Sequence, residues 1–199
     1  MLWYARENDK KIILKCLETF NDCLTRNNEI AHFGSSAFVL NKNKDKCLMV
    51  HHNIFNAWTW PGGHTDGNSD LLNVAMKEVI EETGVKNVTP ITEQIISLNI
   101  IAVKGHMRKG NYISPHLHLS TAFLLLADES EKLIVKSDEN SKVQWIPVTD
   151  LDSYITEPHM MDIYKKIISR FITMEIEEIW QKSPLLYKNI MSQNIYFAT

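Results

Sequence analysis

The sequence predicts an α/β protein in which β-strands alternate with amphipathic helices. Short runs rich in β-branched and aromatic residues, bounded by polar turns, recur through the middle of the chain and favour strands. Three segments repeat apolar residues every three or four positions, which is the period of a helix with one buried face. At 199 residues the chain is long enough for one good core with appendages.

The N-terminal part of the chain predicts one helix and then a β-hairpin. Residues 9–25 carry a single apolar stripe, which favours a helix. Residues 36–41 and 46–52 are short apolar runs, and the polar residues between them are typical of a turn. We therefore expect the two runs to pair as a hairpin.

A glycine-rich turn ending at Gly63 precedes a helix that we expect to end at Gly84, a residue type favoured just after a helix. Glu78, Glu81 and Glu82 stand at i, i+3 and i+4, so their side chains converge on one helical face. A separate apolar stripe is formed by Leu72, Ala75, Met76 and Val79. Like charges this close repel one another, whereas a bound Mg²⁺ or Mn²⁺, which prefers carboxylate oxygens, would reverse the sign.

The second half of the chain predicts three more strands and a long helix. The predicted strands are residues 95–103, 116–127 and 143–148, and the first two are joined by a polar loop. Residues 149–154 begin like a capped helix, and residues 158–181 have helical periodicity.

The segment around the acidic helix resembles the Nudix box, whose pattern is Gly, five residues, Glu, seven residues, then Arg-Glu-apolar-x-Glu-Glu-x-Gly-apolar. The matching residues, in unbroken register, are Gly63, Glu78, Val79, Glu81, Glu82, Gly84 and Val85. Two positions depart, because Ser69 stands where the first Glu is expected and Lys77 stands where the Arg is expected. The preceding Trp60-Pro61-Gly62 is also typical of the family.

The resemblance implies an α/β/α sandwich with a mixed β-sheet over residues 33–173, an N-terminal helical arm over residues 1–32 and a C-terminal helical tail over residues 174–199. It also implies a metal-dependent pyrophosphohydrolase that cleaves a phosphoanhydride in a nucleoside diphosphate linked to another moiety, by attack of water on phosphorus. The implied cofactor is Mg²⁺ or Mn²⁺, and Glu82 and Glu78 are its first expected ligands, with Glu81 next. Such a cation neutralises phosphate charge and lowers the pKa of a bound water.

The two departures from the Nudix pattern change the chemistry that the box residues can supply. Ser69 cannot act as a carboxylate ligand or base, although a serine can serve as a helix N-cap. Lys77 keeps the positive charge without the planar fork of an arginine, and it can pair with Glu81 at i+4. Glu139, in a polar run before the strand at residue 143, is the first candidate for an added catalytic carboxylate; an ordinary solvated turn is the equal alternative.

Histidines form a second group of candidates. His116 and His118 alternate on a predicted strand and share one face. With His64 or His106 they could bind a transition metal or contact a substrate phosphate. A hydrogen-bonded pair beside the site is favoured over zinc, because no cysteine or spacing motif supports zinc.

Other residues are candidates for substrate contact. Gly63 and His64, at the Gly-Gly turn, are expected to meet a ligand. Arg108, in the polar loop, could grip phosphate, and a flexible basic loop is the equal alternative. Trp58 and Trp60 could stack on a base, but core packing is favoured because large aromatic side chains mostly serve burial.

Composition limits the partners and the compartment. A net charge of −3 gives no general attraction for nucleic acid or an anionic membrane. The partner that the resemblance implies is a small-molecule phosphoanhydride. Three cysteines without a CxxC pair argue against a disulfide framework. No apolar run approaches a membrane span, and a cytoplasmic setting is expected.

Three alternatives stay open at this point. A catalytically weak Nudix-scaffold nucleotide-binding or sensor protein would bind ligand without turnover. An isoprenyl-diphosphate isomerase, which shares the scaffold, would require a catalytic cysteine with a partner glutamate. The apolar tail either covers the core or meets a partner subunit in a homodimer, and its residues are Trp180, Leu185, Leu186, Tyr187 and Ile190.

Overall fold

The computed structural model describes residues 7–108 and 110–182 of the chain. Within these residues a mixed sheet of eight strands lies between helices, and two more strands form a separate hairpin. The strands are β1 (Ala31–Leu40), β2 (Lys46–His52), β3 (Ala57–Thr59), β4 (Gly62–His64), β5 (Val88–Pro90), β6 (Ser97–Val103), β7 (His106–Arg108), β8 (Asn111–Ile113), β9 (His116–Ala127) and β10 (Asn140–Pro147). The helices are α1 (Glu7–Thr19), α2 (Leu71–Thr83), α3 (Leu151–Tyr154), which follows a 3₁₀ turn at Val148–Asp150, and α4 (Pro158–Lys182).

One parallel pair makes the sheet mixed. Strands β1 and β9 run in parallel, in register from Ala31 opposite Leu117 to Leu40 opposite Leu126. The other described pairs are antiparallel, including the predicted β1–β2 hairpin. The central path is β10-β2-β1-β9-β5, and β4 and β6 add to β1 and β9. The parallel pair brings the start of β9 beside the start of β1, although the two lie far apart in sequence.

Helices cover both faces of the sheet because strand side chains alternate. Ala37 and Val39 of β1 belong to the apolar cluster that includes α2. Phe38 and Leu40 face the opposite side and belong to the cluster that includes Tyr164 of α4. Helix α1 packs through the buried Ile13 against a third cluster at the start of β1. The predicted α/β/α sandwich with a mixed sheet is therefore confirmed.

One predicted helix boundary was wrong, and one capping residue that the sequence allowed is not the one used. Helix α1 ends at Thr19 rather than at residue 25, because turns follow, in which the carbonyl of Asp22 accepts from the backbone N–H of Thr25. The N-cap of α2 is Asp70 rather than Ser69, since the Asp70 carboxylate accepts from the Asn73 N–H at 3.1 Å. Gly84 ends α2 in the left-handed conformation at φ 77°, as predicted.

The other predicted elements are present, although β1 starts at Ala31 rather than at residue 36, and the short strands β3, β4, β5, β7 and β8 were not predicted. Trp60 is buried and Trp58 packs against the same core cluster, so core packing rather than base stacking describes both. The polar loop after β6 contains the β7–β8 hairpin, which the sequence analysis missed. No helix of the described ranges is long and apolar enough to cross a membrane. The proposed tail continues α4 to Lys182, and residues 183–199 lie outside the described residues.

Candidate active site

Glu82 is a buried carboxylate held by two hydrogen-bond donors. The backbone N–H of Gly62 donates to Oε2 at 2.8 Å, and Nδ2 of Asn140 donates to Oε1 at 3.1 Å. Only 2% of Glu82 is exposed, and this burial raises its pKa to about 7 although both hydrogen bonds oppose the rise. The carboxylate is fixed in orientation, and a cation beside it would stabilise its charged form.

Glu78 lies one helical turn before Glu82 and contacts strand β4. Burial raises the pKa of Glu78, and the nearby charge of Lys136 opposes the rise. A Cβ added to Gly63 would lie 2.4 Å from the carboxyl carbon of Glu78. The absence of a side chain at Gly63 therefore lets β4 approach this carboxylate closely.

A lysine links the box to the loop before β10. Nζ of Lys136 lies 3.0 Å from the Glu139 carboxylate and 3.9 Å from that of Glu81. Burial opposes the charge of Lys136, but the hydrogen bond and charge of Glu139, together with the charges of Glu78 and Glu81, raise its pKa. Lys77 pairs with Glu81 at 3.5 Å, the i,i+4 pairing that the sequence suggested. The loop thus brings Glu139 to the box carboxylates.

The predicted histidines gather elsewhere, on the other side of β4. Gly63 faces α2, so its neighbour His64 faces the opposite side of the strand. The His64 ring lies 4.9 Å from that of His118 and 5.0 Å from that of His32. Nε2 of His116 is 3.2 Å from Nε2 of His118. The structure brings His64, His116 and His118 together, but with His32 rather than with the carboxylates of α2.

Comparison with known proteins decides the family. The model of the NUDIX domain matches residues 31–171. The chain belongs to the Nudix family. An RNA pyrophosphohydrolase of Pelagibacter ubique is 28% identical over 131 residues, which cover 63% of this chain and 82% of that protein. The Nudix hydrolase YvcI of Bacillus subtilis is 24% identical over 125 residues, which cover 61% of this chain and 73% of that protein.

A solved structure agrees with the Nudix fold. The crystal structure of a C. elegans Ap4A hydrolase in a binary complex superimposes with a TM-score of 0.51 at 18% identity, and the match covers 71% of this chain and 97% of that one. At this identity the likeness establishes the fold. Membership of the family makes the protein a Nudix hydrolase that acts on pyrophosphate bonds. Nudix enzymes generally use a divalent metal and act on small nucleotide substrates.

The carboxylate cluster of this Nudix protein fits a divalent cation. Glu78, Glu81, Glu82 and Glu139 offer the oxygen ligands that Mg²⁺ and Mn²⁺ prefer. Burial makes the charged forms of Glu78 and Glu82 costly, and a bound cation offsets that cost. Oδ1 of Asn140, on the residue that holds Glu82, is buried and has no hydrogen-bond partner among the described residues. The chemistry of these donors is therefore compatible with a hard divalent cation.

Two of the three cysteines do not suit an isomerase. Cys47 is fully buried in β2, and its thiol donates to the Ile146 carbonyl oxygen at 3.6 Å. Burial raises the pKa of Cys47 to about 12 and that of Cys23 above its ordinary value. A buried thiol of high pKa is inert, so neither residue supports the cysteine chemistry that an isoprenyl-diphosphate isomerase requires.

Sequence reasoning missed several residues of the two clusters. Gly62, Lys136 and Asn140 contact the carboxylates only after β4, the loop before β10 and the start of β10 fold onto α2. His32 carries no motif, and it meets the other histidines through the β1–β9 register. Arg108 ends β7 opposite Asn111; its side chain is outside the described part of the structure, so its phosphate contact stays a prediction.

Proposed function

We propose that this Nudix hydrolase is a metal-dependent pyrophosphohydrolase that cleaves a phosphoanhydride in a nucleoside diphosphate linked to another moiety, by attack of water on phosphorus. The observation that carries the proposal is the buried carboxylate of Glu82, fixed by Gly62 and Asn140 beside Glu78. A buried carboxylate is costly to keep charged without a cation. Stability alone gives no reason for this arrangement.

In this proposal Glu82, Glu78 and Glu81 hold Mg²⁺ or Mn²⁺. Such a cation, when bound, neutralises phosphate charge and lowers the pKa of a coordinated water. The hydrogen bonds from Gly62 and Asn140 keep Glu82 in one orientation before the substrate arrives, and such preorganisation reduces the cost of assembling the site. Gly63 leaves room for the Glu78 carboxylate against β4.

Glu139 is the proposed general base. Its side chain is 32% exposed, so water can reach the carboxylate, and Lys136 holds that carboxylate at 3.0 Å. The proton of the attacking water would pass to an oxygen of Glu139. Ser69 supplies no carboxylate, and this proposal assigns the box glutamates to the cation. The base is therefore assigned to Glu139, the loop carboxylate that shares a lysine with the box.

The proposed substrates are small phosphoanhydrides of nucleotides. The relatives widen the set worth testing, because the Pelagibacter protein is named an RNA pyrophosphohydrolase and the C. elegans protein an Ap4A hydrolase. The net charge of −3 does not favour a long polyanion. Local groups, namely the metal and the lysines at positions 77 and 136, must attract the phosphates.

The test is product release from a panel of nucleoside triphosphates, nucleotide sugars, Ap4A and an RNA with a terminal phosphoanhydride, with Mg²⁺ or Mn²⁺. Glu139→Gln and Glu82→Gln are compared with Glu93→Gln, a matched change at an exposed loop residue. We expect turnover that requires metal, falls in the two site variants and persists in the control. Nucleotide binding without turnover across the panel would instead favour the sensor interpretation, with Ser69 as its cause.

A further inference from the structure

Four histidines from three strands converge at one end of the sheet. They are His32 of β1, His64 of β4, and His116 and His118 of β9. One ring nitrogen from each lies within 4.8 Å of all the others. His32 is 4% exposed and the other three are half-buried, so the cluster lies at the edge of the core.

We propose that these four histidines bind a transition-metal ion, Zn²⁺ in tetrahedral coordination, at a site separate from the carboxylate cluster of α2. Imidazole nitrogen suits zinc, and four protein ligands are the usual number in a structural zinc site. The two clusters have different chemistry, since carboxylate oxygen favours Mg²⁺ and Mn²⁺. One chain can therefore hold Zn²⁺ at the histidines and Mg²⁺ or Mn²⁺ at the carboxylates.

The ring geometry matches this coordination. With Zn–N bonds of about 2.0–2.1 Å, tetrahedral nitrogens lie about 3.4 Å apart and the ring centroids about 5 Å apart. Five centroid separations within the cluster lie between 4.8 and 5.1 Å. The Nε2 atoms of His116 and His118 are already 3.2 Å apart. Small side-chain rotations would reduce the remaining nitrogen–nitrogen separations, which all lie within 4.8 Å, to about 3.4 Å.

Two backbone carbonyls fix which nitrogens are available. Nδ1 of His32 lies 2.8 Å from the Asn28 carbonyl oxygen, and Nδ1 of His116 lies 2.8 Å from that of Ser114. A carbonyl oxygen only accepts, so each Nδ1 carries the proton and each Nε2 keeps its lone pair. Metal-bound histidines characteristically donate their second ring N–H in this way.

The simpler hydrogen-bonded pair leaves one atom unexplained. A hydrogen bond between His116 and His118 accounts for their 3.2 Å contact. It leaves Nε2 of His32 buried without a hydrogen-bond partner among the described residues, which is costly for a polar atom. A metal ion at the centre of the cluster satisfies this nitrogen.

The ion would tie β4 to the parallel pair. His64 follows Gly62 and Gly63 directly, and these glycines contact Glu82 and Glu78 on the opposite face of the strand. A zinc ion that cross-links β1, β4 and β9 through side chains would hold β4 in place. The expected role is structural, and the site stands whether or not the chain hydrolyses a phosphoanhydride.

The test measures Zn²⁺ binding rather than hydrolytic activity. The full chain is stripped with a chelator, and Zn²⁺ is titrated back against a chromophoric competitor. The wild type should bind about one Zn²⁺ per chain, and Co²⁺ in its place should give the intense visible absorption of a tetrahedral ion. His116→Gln/His118→Gln should weaken Zn²⁺ binding by more than about 100-fold, which is the upper range for loss of a residue that only hydrogen-bonds to a metal ligand.

Two controls distinguish this site from a nearby histidine and from the carboxylate cluster. His106→Gln changes a histidine outside the cluster, and Glu82→Gln changes the carboxylate cluster; both should keep the zinc. Retention of zinc by the double variant, or its loss in either control, would overturn the proposal. If the double variant does not fold, the wild-type Co²⁺ spectrum decides, because a weak octahedral spectrum or no binding would equally overturn it.

Discussion

Replacement of Gly63 by alanine should abolish most activity with little loss of stability. The new Cβ would lie 2.4 Å from the carboxyl carbon of Glu78 and 2.5 and 2.7 Å from its two oxygens. Ordinary contacts of a Cβ begin near 3.4 Å. The carboxylate must therefore retreat by about 1 Å, because it is the end of a flexible side chain whereas the backbone of β4 is fixed by its pairing with β1.

The expected loss of activity is large and the expected loss of stability is small, because only the Glu78 side chain moves. A displacement of about 1 Å in a catalytic group can lower kcat about 100-fold. The stability cost should stay below about 1 kcal/mol, since rotation of one side chain relieves the contact and alanine lowers the entropy of the unfolded chain. For a chain of this size that cost corresponds to a fall in Tm of at most about 2–4 °C.

The assay compares metal-dependent hydrolysis and thermal unfolding of Gly63→Ala with those of Gly105→Ala. Gly105 is a matched control, because its added Cβ would meet the hydroxyl of the exposed Tyr112 at 2.4 Å, away from the carboxylates. We expect full activity in the control. Unchanged kcat in Gly63→Ala would refute the reasoning, and so would a loss of activity that merely follows unfolding.

Two further predictions concern capping and pH. Asp70→Ala should cost about 1 kcal/mol of unfolding free energy by loss of the N-cap hydrogen bond, while Ser69→Ala should cost nothing measurable in chemical denaturation; equal effects would contradict the assignment of the cap. The folded-state pKa of Glu82 is raised by burial from 4.5 to about 7, so the native state binds the extra proton between these values. Stability in the presence of a chelator should then fall by about 3 kcal/mol as the pH rises from 4.5 through 7. Denaturation of Glu82→Gln beside the wild type should lack this component; an identical pH profile would count against the buried, raised carboxylate.

The sequence analysis predicted best where the signal is local. Strand β2 and strand β9 have the predicted bounds, because a run of apolar residues between polar turns is sufficient to define a strand. Gly84 likewise ends α2 as expected, since a left-handed residue at a helix end favours glycine. Serine and aspartate are both good N-caps, so sequence could not choose between Ser69 and Asp70.

The parts that sequence could not predict depend on contacts between distant segments. His32 and His116 meet because β1 and β9 pair in parallel, and no spacing rule joins residues so far apart. Asn140 reaches Glu82 only when β10 joins the sheet edge beside β2. Lys136 has no motif, and its contacts with Glu81 and Glu139 arise from the path of one loop. Tertiary packing, rather than local propensity, assembled the histidine cluster and added the partners of the three helix glutamates.

The most direct test of the central claim is the Mg²⁺ dependence of hydrolysis in Glu82→Gln beside Glu93→Gln, on the best substrate of the panel. Glutamine keeps the size of Glu82 but removes the charge that would hold the cation. The account predicts that the control matches the wild type and that Glu82→Gln loses at least about 100-fold in kcat/KM with its fold intact. Undiminished, metal-dependent hydrolysis by Glu82→Gln would contradict the account.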